Sequence, residues 1–168
     1  MPSTSPRTLD AAELSGLAAG LAARPELWRS HVRADPARRT FHALVREPHA
    51  TVWLICWMAG HDTGFHDHDG AAGAVAVVQG RVCEQRLRLG GPPRRSEHGA
   101  GEVFAFGPDD IHRVTHLEGG PAVTIHAYSP ELRRMGTYAE GPDGILLRRA
   151  VDEDTELRPT TLIQGASA

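Results

Sequence analysis

The segment Phe65-His66-Asp67-His68 sets two histidines around one aspartate. On an extended chain, successive side chains alternate, so His66 and His68 leave the backbone on one face and Asp67 on the other. Two imidazoles on one face can each offer a nitrogen to a single divalent ion, and neutral imidazole is the commonest metal ligand in proteins. The chain carries ten histidines beside eighteen Lys plus Arg, a high share for this residue. Taken alone, the pair also describes two side chains facing solvent. A second alternation occurs downstream, where Thr124, His126 and Tyr128 are interleaved with Val123, Ile125 and Ala127. A hydroxyl, an imidazole and a phenol therefore share one face of a predicted strand. That polar face is equally compatible with solvent and with the inside of a site.

The surroundings of the pair are more specific. Gly60, five residues, His66, one residue, His68 and then Gly80 after eleven more resemble the first cupin motif, G-x5-H-x-H-x(3,4)-E-x6-G. Every fixed position is kept except the glutamate, whose place is taken by Gly73. Gly101, Gly107, Asp109 and His112 resemble the second motif, G-x5-P-x-G-x2-H, with its proline and second glycine replaced. The resemblance implies an all-β cupin fold, a double-stranded β-barrel or jelly roll, with His66, His68 and His112 as metal ligands. Three neutral imidazoles without a carboxylate leave the ion its full double charge and open positions for an anionic substrate atom and a second ligand. Thiolates and dioxygen suit such a centre. Three histidines and a water also describe a zinc site for hydrolysis or hydration, and nickel or manganese for isomerisation or hydrolysis stay open on ligand type. So does a metal-binding cupin that acts as a sensor or structural module without turnover.

From about Phe41 to Pro130 the chain resembles the cysteine dioxygenase-type thiol dioxygenases of the cupin superfamily. The residues that carry the likeness are Cys56-Trp57, the Gly60 to Gly80 motif, Ile111-His112-Arg113-Val114 and the run from Val123 to Pro130. The resemblance implies ferrous iron, Fe(II), on His66, His68 and His112, with a small thiol and O2 as substrates and a sulfinic acid as product. It also implies a hydroxyl–histidine–tyrosine relay behind the iron, made here by Thr124, His126 and Tyr128 as catalytic residues. Many animal members carry a cysteine that crosslinks to this tyrosine; its place falls at Gly73, so no crosslinked cofactor is expected. The family's carboxylate-gripping arginine aligns with His42, and a histidine does not reproduce a guanidinium fork. His42 and Arg113 are the expected substrate contacts, and a thiol other than cysteine, such as the thione ergothioneine, follows as one option from His42.

These residues need elements to position them. At 168 residues the chain suits one domain. Leu14, Leu17 and Leu21 recur at helical spacing after Asp10 and Glu13, a variant of the capping-box pattern, and Pro25 ends that run. A second short helical stretch, 26–32, and a further turn through Phe41 and Leu44 complete a helical segment, 1–45, expected to pack on the barrel. Short runs rich in Val, Ile, Leu and aromatics then predict eight strands: 51–58, 65–68, 74–78, 81–89, 102–106, 113–116, 122–128 and 145–149. They form a barrel over 46–152, with Gly90 to Gly99 a surface loop and 153–168 a polar tail. Cys56 and Cys83 lie in apolar runs and read as buried reduced thiols. A net charge of −3, with no block of either sign, gives no sign of nucleic acid or membrane-surface partners. The opening MPSTSPRTLD lacks the apolar stretch of a signal peptide, so the expected location is the cytoplasm.

Overall fold

The computed structural model describes residues 7–152. Helix α1, Ala11–Ala22, begins at the box seen in the sequence: Asp10 accepts from the Glu13 amide and the Glu13 carboxylate accepts from the Asp10 amide. Two 3-10 turns, Pro25–Leu27 and Arg29–His31, follow. Eleven strands come next: β1 Thr40–Glu47, β2 Ala50–Trp57, β3 His66–Asp67, β4 Ala72–Gln79, β5 Arg81–Arg88, β6 Gly91–Gly99, β7 Val103–Phe106, β8 His112–His116, β9 Ala122–Ser129, β10 Arg134–Glu140 and β11 Leu146–Asp152. They form a five-stranded sheet, β1-β2-β9-β4-β7, and a six-stranded sheet, β11-β10-β3-β8-β5-β6, all paired antiparallel. This is the expected cupin double-stranded barrel, with the N-terminal helix outside it.

Two expectations are corrected. Helical structure stops at His31, and the stretch through Phe41 and Leu44 is strand, since Thr40–Glu47 pairs along β2 with a bulge between Ala43 and Val45. Pairing partners outweigh weak helical spacing over so few residues. Gly90 to Gly99 is largely β6 and not a loop. Among the described residues it is an edge strand bonded only to β5, and Pro92 and Pro93 sit beside a register shift between Arg86 and Arg88, where missing N–H groups break no ladder. The tail at 153–168 lies outside the described residues. Cys56 and Cys83 are buried free thiols. Among the described residues, no helix is long and apolar enough to cross a membrane.

The five-stranded sheet is buried on both faces. Its outer face, with Val52, Leu54, Ala74, Ala76, Val123, Ile125 and Ala127, packs against Leu14 and Ala18 of α1. Its inner face, with Trp53, Ile55, Trp57, Val75, Phe106 and Tyr128, meets Val82 and Val114 of the six-stranded sheet inside the barrel. Strand β9 is buried along its whole length, so the alternation in its sequence separates an apolar outer side from a polar inner one. Leu14 is 0% exposed and anchors the helix to the sheet. Truncating it, Leu14→Ala, should lower stability by about 2–5 kcal/mol, read from the urea midpoint. A shift near zero would show that α1 is not fastened by this contact.

Candidate metal centre

The metal-ligand candidates are held by register. His66 on β3 lies directly opposite His112 on β8, and His68 follows β3 immediately. Each of the three imidazoles is 1% exposed, and one nitrogen from each lies within 4.8 Å of those of the other two. Two of the rings are oriented by partners other than each other. His66 Nδ1 donates to the Gly64 carbonyl at 3.1 Å, and His112 Nδ1 donates to Glu84 Oε1 at 2.8 Å. In both, a proton fixed on Nδ1 turns Nε2 toward the shared centre, an orientation typical of metal-binding histidines. Three convergent imidazole nitrogens are a donor set that fits a divalent transition metal.

Glu84 was missed in the sequence because nothing in Arg-Val-Cys-Glu-Gln-Arg marks it. Its role follows from pairing: Glu84 is opposite Val114, an inward residue, and is 5% exposed. Arg86 donates to Glu84 at 2.9 Å and to Asp110 at 3.1 Å, so the carboxylate that meets His112 is itself charge-balanced.

Asp67 faces away from the histidines, as the alternation requires. Its carboxylate accepts from Arg148 Nε and Nη2 at 2.7 and 2.9 Å and from the Tyr138 hydroxyl at 2.6 Å. The Arg148 guanidinium, first among these, holds the Asp67 carboxyl well below the usual carboxylate range.

Behind the histidines runs a buried polar chain. The Trp57 indole N–H donates to Thr124 Oγ at 2.8 Å, Thr124 Oγ is 2.8 Å from His126 Nε2, and His126 Nδ1 is 3.1 Å from the Tyr128 oxygen. Thr124, His126 and Tyr128 are each no more than 1% exposed, which rules out the solvent-facing alternative. The Tyr128 ring lies 5.1 Å from that of His68, centroid to centroid. Trp57, one of the residues that carry the family likeness, is part of this chain.

The two expected substrate contacts lie elsewhere. His42 pairs with Leu54, a residue of the outer face; it is exposed and stacks on His31 at 3.7 Å. Burial at this stacked pair lowers the His42 pKa below its ordinary value, followed by the charge of His31. Arg113 neighbours His112 on β8, so its side chain takes the opposite face, where it forms a two-point pair with Asp62 and lies 6.0 Å from the Phe65 ring. Arg39, one residue before β1, is 3% exposed with its guanidinium 5.2 Å over the Trp57 ring.

Gly73, where the cupin motif has a glutamate, pairs with both Phe106 and Tyr128. A Cβ at this position would collide with the Phe106 ring. That ring stacks on His68 at 4.4 Å. The space of a fourth, carboxylate ligand is thus taken by an apolar ring. Gly73→Ala should overpack the interior and cost about 1–3 kcal/mol, measured by chemical denaturation. An unchanged midpoint would mean that Phe106 has room to retreat.

Comparison with known proteins agrees with this geometry. The family model for cysteine dioxygenase type I matches residues 5–141. The chain is 27% identical over 145 residues to "Cysteine dioxygenase type 1" of Danio rerio, covering 78% of this chain and 71% of that protein. It is 25% identical over 119 residues to the Rattus norvegicus protein of the same name, covering 63% of this chain and 58% of the relative. The chain thus spans less than two thirds of the rat protein. Among solved structures, a Thermus thermophilus protein superposes with a TM-score of 0.54 at 15% identity over 61% of this chain and 92% of its own. The Cnp3 cupin domain of Schizosaccharomyces pombe does so at 0.52 and 11%, over 61% and 66%. These two likenesses concern the fold. A family match that spans most of the chain, together with the cupin barrel, identifies the protein as a member of the cysteine dioxygenase type I family.

Proposed function

We propose that the protein is a thiol dioxygenase that uses ferrous iron on His66, His68 and His112 to convert a small carboxylated thiol to its sulfinic acid. The reaction balances without an external reductant: RSH and O2 give RSO2H, the sulfur is oxidised, and both oxygen atoms are retained. The observation that carries the reading is the convergence of three buried imidazoles with Tyr128 beside them and no carboxylate among them. Ferrous iron would supply open positions for a sulfur and for dioxygen and the electrons that activate the latter. The protein supplies position, burial and a directed proton.

That direction follows from the donors and acceptors of the buried chain. An indole N–H can only donate. Thr124 therefore accepts from Trp57, and its own hydrogen is left for His126 Nε2. A neutral His126 then carries its proton on Nδ1 and donates it to the Tyr128 oxygen. The phenolic hydrogen points away from His126, and Tyr128 can donate it to the reacting oxygen or sulfur.

The substrate class rests on Arg39. It is the buried cation whose guanidinium covers Trp57, the first member of that chain, whereas His42 and Arg113 occupy outer faces. Guanidinium is suited to a carboxylate. The ergothioneine option was motivated by the arginine missing at His42, and Arg39 supplies a buried guanidinium three residues earlier that supports a carboxylated thiol instead. The matched relatives are named for cysteine. Cytoplasmic location belongs to the same reading, since a thiol substrate persists in a reducing compartment.

Anaerobic iron loading followed by oxygen uptake across a thiol panel tests this, with mass spectrometry of the products. The expected result is a gain of two oxygen atoms on a carboxylated thiol. Arg39→Ala should raise KM for that substrate about tenfold, the magnitude of roughly 1.4 kcal/mol in binding, and barely alter turnover of an uncharged thiol. No thiol-dependent uptake would contradict the reading and favour a metal-binding module without turnover. Separately, Tyr128→Phe should lower kcat by about 10²-fold while metal content stays unchanged. Full kcat in that variant would remove Tyr128 from the chemistry.

A further inference from the structure

The His66-Asp67-His68 segment is gripped from outside the barrel by the last described strand. Arg148 on β11 makes a two-point pair with Asp67 at 2.7 and 2.9 Å and also donates to Asp69 at 2.9 Å. It does so across β10, because β10 lies between β11 and β3 in the sheet. The residue crossed is Gly136, which pairs with Asp67 on one side and Ala150 on the other. A Cβ at Gly136 would collide with the Arg148 guanidinium and the Asp67 carboxylate together. The glycine is thus the gap through which the bridge passes. Tyr138, two residues along β10, adds its hydroxyl to the same carboxylate at 2.6 Å.

We propose that Arg148 is a positioning residue for the metal centre: by fixing Asp67 between the two histidines, it sets the direction and separation of His66 and His68. Residue 148 lies beyond the 5–141 segment matched by the family model, so this support comes from the last described hairpin. The outward aspartate is the only side chain between two inward ligands, so rotation of its backbone would turn both imidazoles. A planar fork on both carboxylate oxygens resists that rotation where a single-point contact would not. The inference rests on the metal reading above, and its test separates the two.

Ferrous iron binding is measured anaerobically by chelator competition on wild type, Arg148→Ala, Arg148→Lys, Gly136→Ala and the Gly136→Ala/Arg148→Ala double variant, each shown folded by circular dichroism. Loss of the bridge should weaken binding about 10- to 100-fold, the usual effect of losing such outer support. Lysine should restore part of the loss. Gly136→Ala should reproduce the defect, and the double variant should be no worse than either single one, because both remove the same contact. Wild-type affinity in Arg148→Ala, or losses that add in the double variant, would overturn the proposal. Hydrogen exchange on the metal-free proteins gives the second measurement. Arg148→Ala should speed exchange at amides 66–70, and an unchanged rate there would overturn the proposal even if wild type binds no iron. Failure of wild type alone to bind iron would count against the metal reading.

Discussion

Three imidazoles buried in a barrel interior must be turned to one point by something other than the ion they serve. His66 is turned by the Gly64 carbonyl and His112 by Glu84, and the His66-Asp67-His68 segment is held through Asp67 by its partners on β10 and β11. These contacts are made by backbone geometry and charged pairs around the rings, so the site is organised by the sheet itself. Pre-oriented ligands of this kind spare metal binding the cost of ordering them. The cross-strand pair His66 and His112 ties the site to the register between β3 and β8. A slip of one residue there would send each side chain to the opposite face.

The second constraint is what the interior lacks. With Gly73 free of a side chain, the Phe106 ring fills the position of the motif's glutamate and stacks on His68. The three ligand candidates are therefore all imidazoles, a neutral donor set. Strand β9 provides the other wall. Its outer residues bind α1 and its inner residues form the polar chain that ends at Tyr128, so the helix and that chain depend on the same eight residues.

Much of this was legible in the sequence because it is written in period two. The histidine pair and the polar face of β9 follow from alternation, the third histidine and the grouping of Thr124, His126 and Tyr128 behind the site from the family resemblance, and the structure brings them together. Glu84 and Arg148 were not legible, because each acquires its role through a strand pairing that joins distant segments: β5 with β8, and β11 across β10 to β3. His42 shows what pairing adds. The family resemblance aligns it with a substrate-gripping arginine, and pairing with Leu54 places it on the outer face, while the arginine three residues earlier is buried over Trp57. Strand β6 escaped notice because two prolines and four glycine or charged neighbours suppress the strand signal at an edge that needs few hydrogen bonds.

The central claim is that three histidines, and no carboxylate, hold a ferrous ion that accepts a thiol. X-ray absorption at the iron edge, on anaerobically loaded protein with and without a carboxylated thiol, addresses it directly. Three imidazole ligands in the resting spectrum, with one sulfur scatterer appearing when the thiol is added, is the predicted result. A carboxylate among the protein ligands, or a spectrum that shows no sulfur at saturating thiol, would contradict the account.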